Sequence, residues 1–149
     1  MHPPTSKRRL CSGASLAEAT AAIALLLPVL VMIIMVAVEA GYGYIIKINM
    51  DGAARRAARD LAIAYGQDPS IAQDSSKVNT VLSMIRIANM VVDNAQFGEP
   101  VFQTDNPPTA TVTVTYASGQ YGLAPFPNPD PLNLGPTFTI SSTATYHLE

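Results

Sequence analysis

Lys7-Arg8-Arg9-Leu10-Cys11-Ser12-Gly13-Ala14-Ser15-Leu16-Ala17-Glu18 leads into ATAAIALLLPVLVMIIMVAV, residues 19–38, and this passage decides the fold. Twenty consecutive residues, Ala19 to Val38, carry no charge. Wound as a helix at about 1.5 Å per residue they span about 30 Å, the thickness of a bilayer's hydrocarbon core. A soluble helix apolar on all sides would need a larger protein around it than 149 residues supply. Pro28 stands in the middle of the run. It would break a soluble helix, but a spanning helix tolerates it with a kink. A secretory signal peptide has an apolar core of about 7–15 residues and a small-residue cleavage site behind it. Val38-Glu39-Ala40 would serve as that site, but the core is too long.

Glu18 is the unusual residue. It puts a carboxylate at the mouth of the apolar run, where burying a charge is costly. It is also the fifth residue after Gly13, which follows a basic tail. Tail, glycine, glutamate and apolar helix in that order resemble the class III leader of type IV pilins and their relatives. The resemblance implies that a membrane-embedded aspartic peptidase cuts behind Gly13 and leaves the apolar helix on the mature protein. Glycine suits that cut, because without a side chain its backbone is open to close approach. The new terminus at Ala14 would carry a positive charge at neutral pH. In a bundle of such helices, Glu18 of one subunit would pair with the Ala14 amine of another. Positive-inside counting gives no orientation, since Lys7, Arg8 and Arg9 on one side balance Lys47, Arg55 and Arg56 on the other. The cytoplasmic N-terminus and extracytoplasmic C-terminal part follow from the leader alone.

Beyond the run, Tyr42 and Tyr44 stand where aromatic rings favour the membrane interface. Ile46, Met50, Ala54, Ala57, Leu61 and Ala64 then recur at helical spacing, with Lys47, Asp51, Arg55 and Arg59 on another face and Gly66 as a stop. This predicts that the helix continues outward as an amphipathic stalk with a small-residue stripe, and that its arginines form a solvated face. Gly13-Ala14-Ser15-Leu16-Ala17-Glu18, Leu26-Leu27-Pro28, Glu39-Ala40-Gly41 and Ala53-Ala54-Arg55-Arg56-Ala57-Ala58-Arg59 also stand in the order and spacing of TadE-like proteins, which the chain resembles over residues 7–65. These are minor pseudopilins of the tight-adherence (Flp) pilus system. Ala19, where the family often has an aromatic, and Gly43, where it often has an arginine, depart from the pattern. The resemblance implies an inner-membrane, pilin-like structural subunit with no enzymatic activity. Its implied partners are the prepilin peptidase, other pilin-like subunits, the pilus assembly platform and membrane lipid. It marks Gly13, Ala14 and Glu18 for processing, and Glu18, Pro28 and Glu39 for subunit assembly.

The remaining residues predict an α+β outer domain. Ser75 to Val92 has Val78, Val81, Leu82, Ile85, Ala88 and Val92 at helical spacing, with Asp74 or Ser75 as cap. Ala110, Val112, Val114 and Tyr116 alternate with threonines, as do Phe138, Ile140, Ser142, Ala144 and Tyr146 with Thr and Ser. Residues 95–103 offer a third strand broken by Gly98 and Pro100. A second helix packed on a small antiparallel sheet follows. The 117–136 connection holds Pro125, Pro127, Pro129, Pro131 and Pro136; Tyr121, Leu123, Phe126, Leu132 and Leu134 would pin it to the sheet. The organisation is therefore a leader at 1–13, a spanning helix at 14–40, a stalk at 41–66 and an outer domain at 67–149.

Other chemistry finds no foothold in the sequence. His2 and His147 are the only histidines, and no serine or cysteine has a plausible histidine partner between them. Neither zinc spacing nor a calcium loop is present, and Gly41-Tyr42-Gly43 lacks the rest of a dinucleotide fingerprint. No cofactor or small-molecule substrate is expected. Net charge is −2 and no Lys or Arg lies beyond Arg86, which argues against nucleic acid. Cys11 has no internal partner and falls in the segment to be removed. The competing reading is an uncleaved single-pass protein whose outer domain binds a ligand or partner; another is a β-domain released after Ala40.

Overall fold

A computed structural model describes residues 11–88, 90–105, 107–123, 130–135 and 137–148, with the backbone alone described for 11–15. Lys7, Arg8 and Arg9, and in the long connection Pro125, Phe126, Pro127, Pro129 and Pro136, lie outside these residues.

Helix α1 runs unbroken from Cys11 to Gln67 and contains Pro28. Proline has no N–H, so the carbonyl of Ala24, four residues back, loses its helical donor. The apolar run and the stalk are thus one element, ending one residue past the predicted Gly66. Its faces change along its length. Leu16 to Ile34 is exposed throughout, whereas from Ile46 to Ala62 one side is closed: Ile46, Met50, Ala54, Ala57, Ala58 and Leu61 are completely buried.

What closes that side is a three-stranded antiparallel sheet, in the order β1 (Val101–Gln103), β2 (Thr109–Ala117), β3 (Thr139–His147). The register of β2 against β3 is continuous, from Thr109 opposite His147 to Ala117 opposite Thr139. Period-2 alternation sends Ala110, Val112, Val114 and Tyr116 to the helix, where all four are buried. Each large side chain such as Tyr116, Met50 or Leu61 contributes about 1.5–3 kcal/mol by leaving water. The other face is a hydroxyl ladder: Thr111 bonds Thr145 at 2.9 Å and Thr113 bonds Thr143 at 2.8 Å. Alanines at 53, 54, 57 and 58 let the helix axis come close to the sheet. Tyr65 of α1 stacks on Phe102 of β1, ring centres 5.8 Å apart.

The architecture is α+β, as the sequence predicts, with two adjustments. Helix α2 covers only Ser75–Ser83, not the expected stretch to Val92. Asp74 caps its start by accepting from Ser76 N and Lys77 N. At its end Met84 N–H and Ile85 N–H reach back three residues to Val81 and Leu82, and the Arg86 guanidinium donates to the carbonyls of Leu82 and Ile85. The chain then makes a tight turn bridging Ile87 and Val91, so Ile85 and Val91 reach the core from a loop. Apolar spacing alone does not distinguish those two routes to burial. The third strand is likewise shorter than 95–103: a 3-10 turn at Asn94–Gln96 precedes it, and Phe97 bridges Val114 before β1 begins.

Helix α2 packs against α1, whereas α1 itself lies on β2 and β3. Gly43, the departure noted above, has a structural consequence: a Cβ there would stand 3.3 Å from the Phe138 ring. Bare backbone at this point lets that ring lie against the helix. In the long connection, Leu123 is buried, Tyr121 and Leu134 are half-buried and Leu132 is exposed, so the pinning expected of these residues is uneven. Phe126 lies outside the described residues.

Candidate assembly surface

Two acids bracket the exposed apolar band. Glu18 is exposed at its N-terminal end, and Glu39 stands twenty-one residues further on, roughly 32 Å along the axis. Between them Ile23, Leu25, Leu26, Leu30, Ile33 and Ile34 are each more than half exposed, a patch far larger than soluble monomers leave open. Pro28 lies inside this band. Gly13 and Ala14 are in the first turns of α1. At the entry, the Thr20 hydroxyl donates to the Leu16 carbonyl at 2.8 Å, so it needs no outside partner there.

Glu39 is different from Glu18. It is only 3% exposed, and its carboxylate oxygens have no hydrogen-bond partner. Asp130 and the backbone of Leu132 approach it closely enough to interact without meeting hydrogen-bond geometry. Asp130 itself is held by the backbone N–H groups of Leu134, at 2.8 Å, and Gly135. Burial alone would raise the Asp130 carboxyl, but those N–H donors and the neighbouring Glu39 bring it below its ordinary value. Of the residues marked in the sequence, therefore, Glu18 and Pro28 lie on the open band and Glu39 is turned into its own fold. No spacing rule reveals the Glu39–Asp130 approach, because the partner sits in a loop ninety-one residues away.

The stalk arginines are exposed, as expected of a solvated face, and they also border a groove. Arg55, Arg56 and Arg59 line one wall of a groove whose other wall is Thr143, Thr145 and Tyr146 of β3. Arg56 pairs with Asp60 at 3.6 Å. Arg55 and Arg59 make no ion pair among the described residues. No three His, Cys, Asp or Glu side chains are grouped to hold a metal among the described residues.

Among the described residues, α1 is the one helix long and apolar enough to cross a membrane, and none of its most apolar stretch is buried within the protein. This is compatible with a single-pass membrane protein. No curated protein matches the chain, and no solved structure does. A family model, TadE-like protein, matches residues 14–59. That segment starts behind Gly13, takes in Glu18, the whole apolar band and Glu39, and ends at Arg59. The family is one of pilus-associated structural proteins. Over those residues, about a third of the chain, α1 is similar to TadE-like proteins.

Proposed function

We propose that the protein is a minor pilin-like subunit that helps assemble a tight-adherence (Flp) pilus and acts by association rather than catalysis. In this reading a prepilin peptidase removes residues 1–13 on the cytoplasmic side. Residues 14–40 then anchor the chain in the inner membrane, 41–66 form the stalk, and 67–149 form the extracytoplasmic domain. The partners are the peptidase, sister pilin-like subunits, the assembly platform and surrounding lipid.

The observation that carries this is the pairing of exposed Glu18 with an apolar band that nothing covers among the described residues. Lipid satisfies the band but not the acid. A charge at the hydrocarbon boundary is stabilised when an opposite charge meets it. The amine released at Ala14 on a neighbouring subunit is the cation that the proposed cut creates at that depth. Cleavage and assembly thereby become one mechanism: before the cut there is no amine for Glu18 to meet.

The test is Gly13→Val in the native membrane. A branched side chain at the cut should leave a form heavier by the leader and abolish pilus assembly. Normal processing of that variant would overturn the assignment.

A further inference from the structure

Residues 117–136, ASGQYGLAPFPNPDPLNLGP, contain one charged side chain, Asp130. That carboxylate is occupied within the protein: it accepts from the backbone N–H groups of Leu134, at 2.8 Å, and Gly135, and it lies near Glu39 of α1. It also begins a tight turn, in which Asn133 N–H donates to the Asp130 carbonyl at 3.1 Å and Asn133 itself takes a positive φ of 52°. Pro131 and Leu132 hold the two central positions. Proline suits the first, whereas the second ordinarily goes to glycine or a small polar residue. Here it is a leucine, 47% exposed. Three backbone donors brace the turn, so the leucine is presented on a fixed support.

The contacts of the turn fix its level along α1. Asp130 and Leu132 approach Glu39, and the Phe138 ring, where the connection ends, lies against Gly43. Glu39 is the first residue beyond the apolar run, and Glu39 to Gly43 covers about 6 Å of helix axis. A bilayer about 40–45 Å thick has a hydrocarbon core of about 30 Å, which leaves about 5–8 Å of headgroup layer on each side. With Ala19–Val38 filling the core, the turn stands in that layer. The charge distribution agrees. Between Val38 and Lys47, α1 exposes no charge, because Glu39 is buried, while Tyr44 and Ile45 are 67% and 51% exposed. An uncharged collar therefore follows the apolar run, built from α1 and from the turn beside it.

The geometry points to lipid as the partner of this turn: Leu132 enters the headgroup layer of the bilayer that α1 crosses, and Asp130–Asn133 is a membrane foot for the outer domain. Apolar side chains on an uncharged surface are favoured at that depth. One leucine on a convex turn falls far short of the roughly 800 Å² per partner of a protein interface, whereas lipid requires no complementary shape. With α1 as the first attachment and Leu132 as the second, the outer domain is held at one rotation about the helix axis. That rotation decides which side the sheet and the arginine groove present to neighbours. The foot takes the spanning α1 from the reading above, but it needs neither the leader cut nor a pilus.

The test places an environment-sensitive fluorophore on the full chain in liposomes, in a Cys11→Ser background, at Leu132→Cys, Met84→Cys or Leu30→Cys. All three side chains are exposed, so the substitutions leave the core intact. Met84 borders a groove with Asp60 and Ile63, about 30 Å further along α1 than Glu39. The Leu132→Cys dye should lose most of its emission to lipids with a nitroxide at the headgroup and resist aqueous iodide. The Met84→Cys dye should do the reverse. Iodide quenching at Leu132→Cys equal to that at Met84→Cys would overturn the proposal by placing the turn in water. Protection of the Leu132→Cys dye from both quenchers would overturn it in favour of a protein cover. The Leu30→Cys dye separates the foot from the anchor. If nitroxides deep in the acyl chains quench it while Leu132→Cys meets iodide, the foot alone is removed; if no lipid quencher reaches it, both fall.

Discussion

Ser142 Oγ on β3 donates a hydrogen bond to the carboxylate of Asp51 on α1, joining residues ninety-one positions apart in sequence. Lys47 Nζ stands 2.9 Å from the same carboxylate and also reaches the Ser141 carbonyl. One helical turn thus holds the start of β3 through two polar contacts, with the Lys47–Asp51 pair joining them on the helix side. The Ser142 hydrogen bond, followed by Lys47, keeps the Asp51 carboxyl below its ordinary value.

Ser142→Ala should therefore lower the melting temperature, because it removes the donor while Asp51 stays confined at the same interface. Asp51→Ala should lower it further by releasing both Ser142 and Lys47. Thermal unfolding of the purified full chain in detergent, followed by far-UV circular dichroism, reads both. Equal stability in all three proteins would mean that apolar contact alone sets the sheet on the stalk.

The apolar side of that interface depends on small residues. Ala57 has no exposed surface between the helix and the sheet. Ala57→Leu should destabilise the protein by about 1–3 kcal/mol through overpacking, or more if the sheet is forced off the helix. Ile63→Leu, on the half-exposed side of the same helix, should cost little. Denaturant unfolding of the two variants measures the contrast.

These particular residues show what the sequence carries and what it hides. The spanning band, the stalk face from Ile46 to Leu61 and the two long strands are periodic, and each pattern has only one good way to bury its apolar side. Local signals also sufficed for the Asp74 cap. Helix α2 stops early where its last carbonyls turn to other donors: Thr80 to the Ser83 hydroxyl, Val81 to Met84 N–H, and Leu82 to Ile85 N–H and Arg86, an arrangement that leaves the apolar spacing unchanged. The approach of Asp130 to Glu39 and the groove beneath Arg55 and Arg59 arise only when a loop and a strand from the last third of the chain are laid on α1. Read as a helix alone, those arginines are simply a charged face.

A pH dependence follows from the loop that starts the outer domain. Lys77 Nζ lies 2.6 Å from Asp68 Oδ2, and with the Ser70 contacts it brings the Asp68 carboxyl down to about 2. The unfolded chain binds that proton near 3.9, so the stabilisation is present above about pH 4 and is lost as pH falls toward 2. Lys77 is shifted upward by the same pair, so its share is complete at neutral pH and fades only as the lysine deprotonates under alkaline conditions. Asp68→Asn should be less stable than the parent at pH 6, and the difference should close as pH falls from 4 to 2. Paired melting curves across that range test it; a gap constant with pH would remove the ion pair as its cause.

The central claim is that Glu18 waits at the lipid boundary for an amine that processing creates. Intact mass of the protein taken from its native membranes tests this most directly. The account predicts a chain of 136 residues beginning at Ala14. A mature protein still beginning at Met1, or one beginning at Gly41, would contradict it.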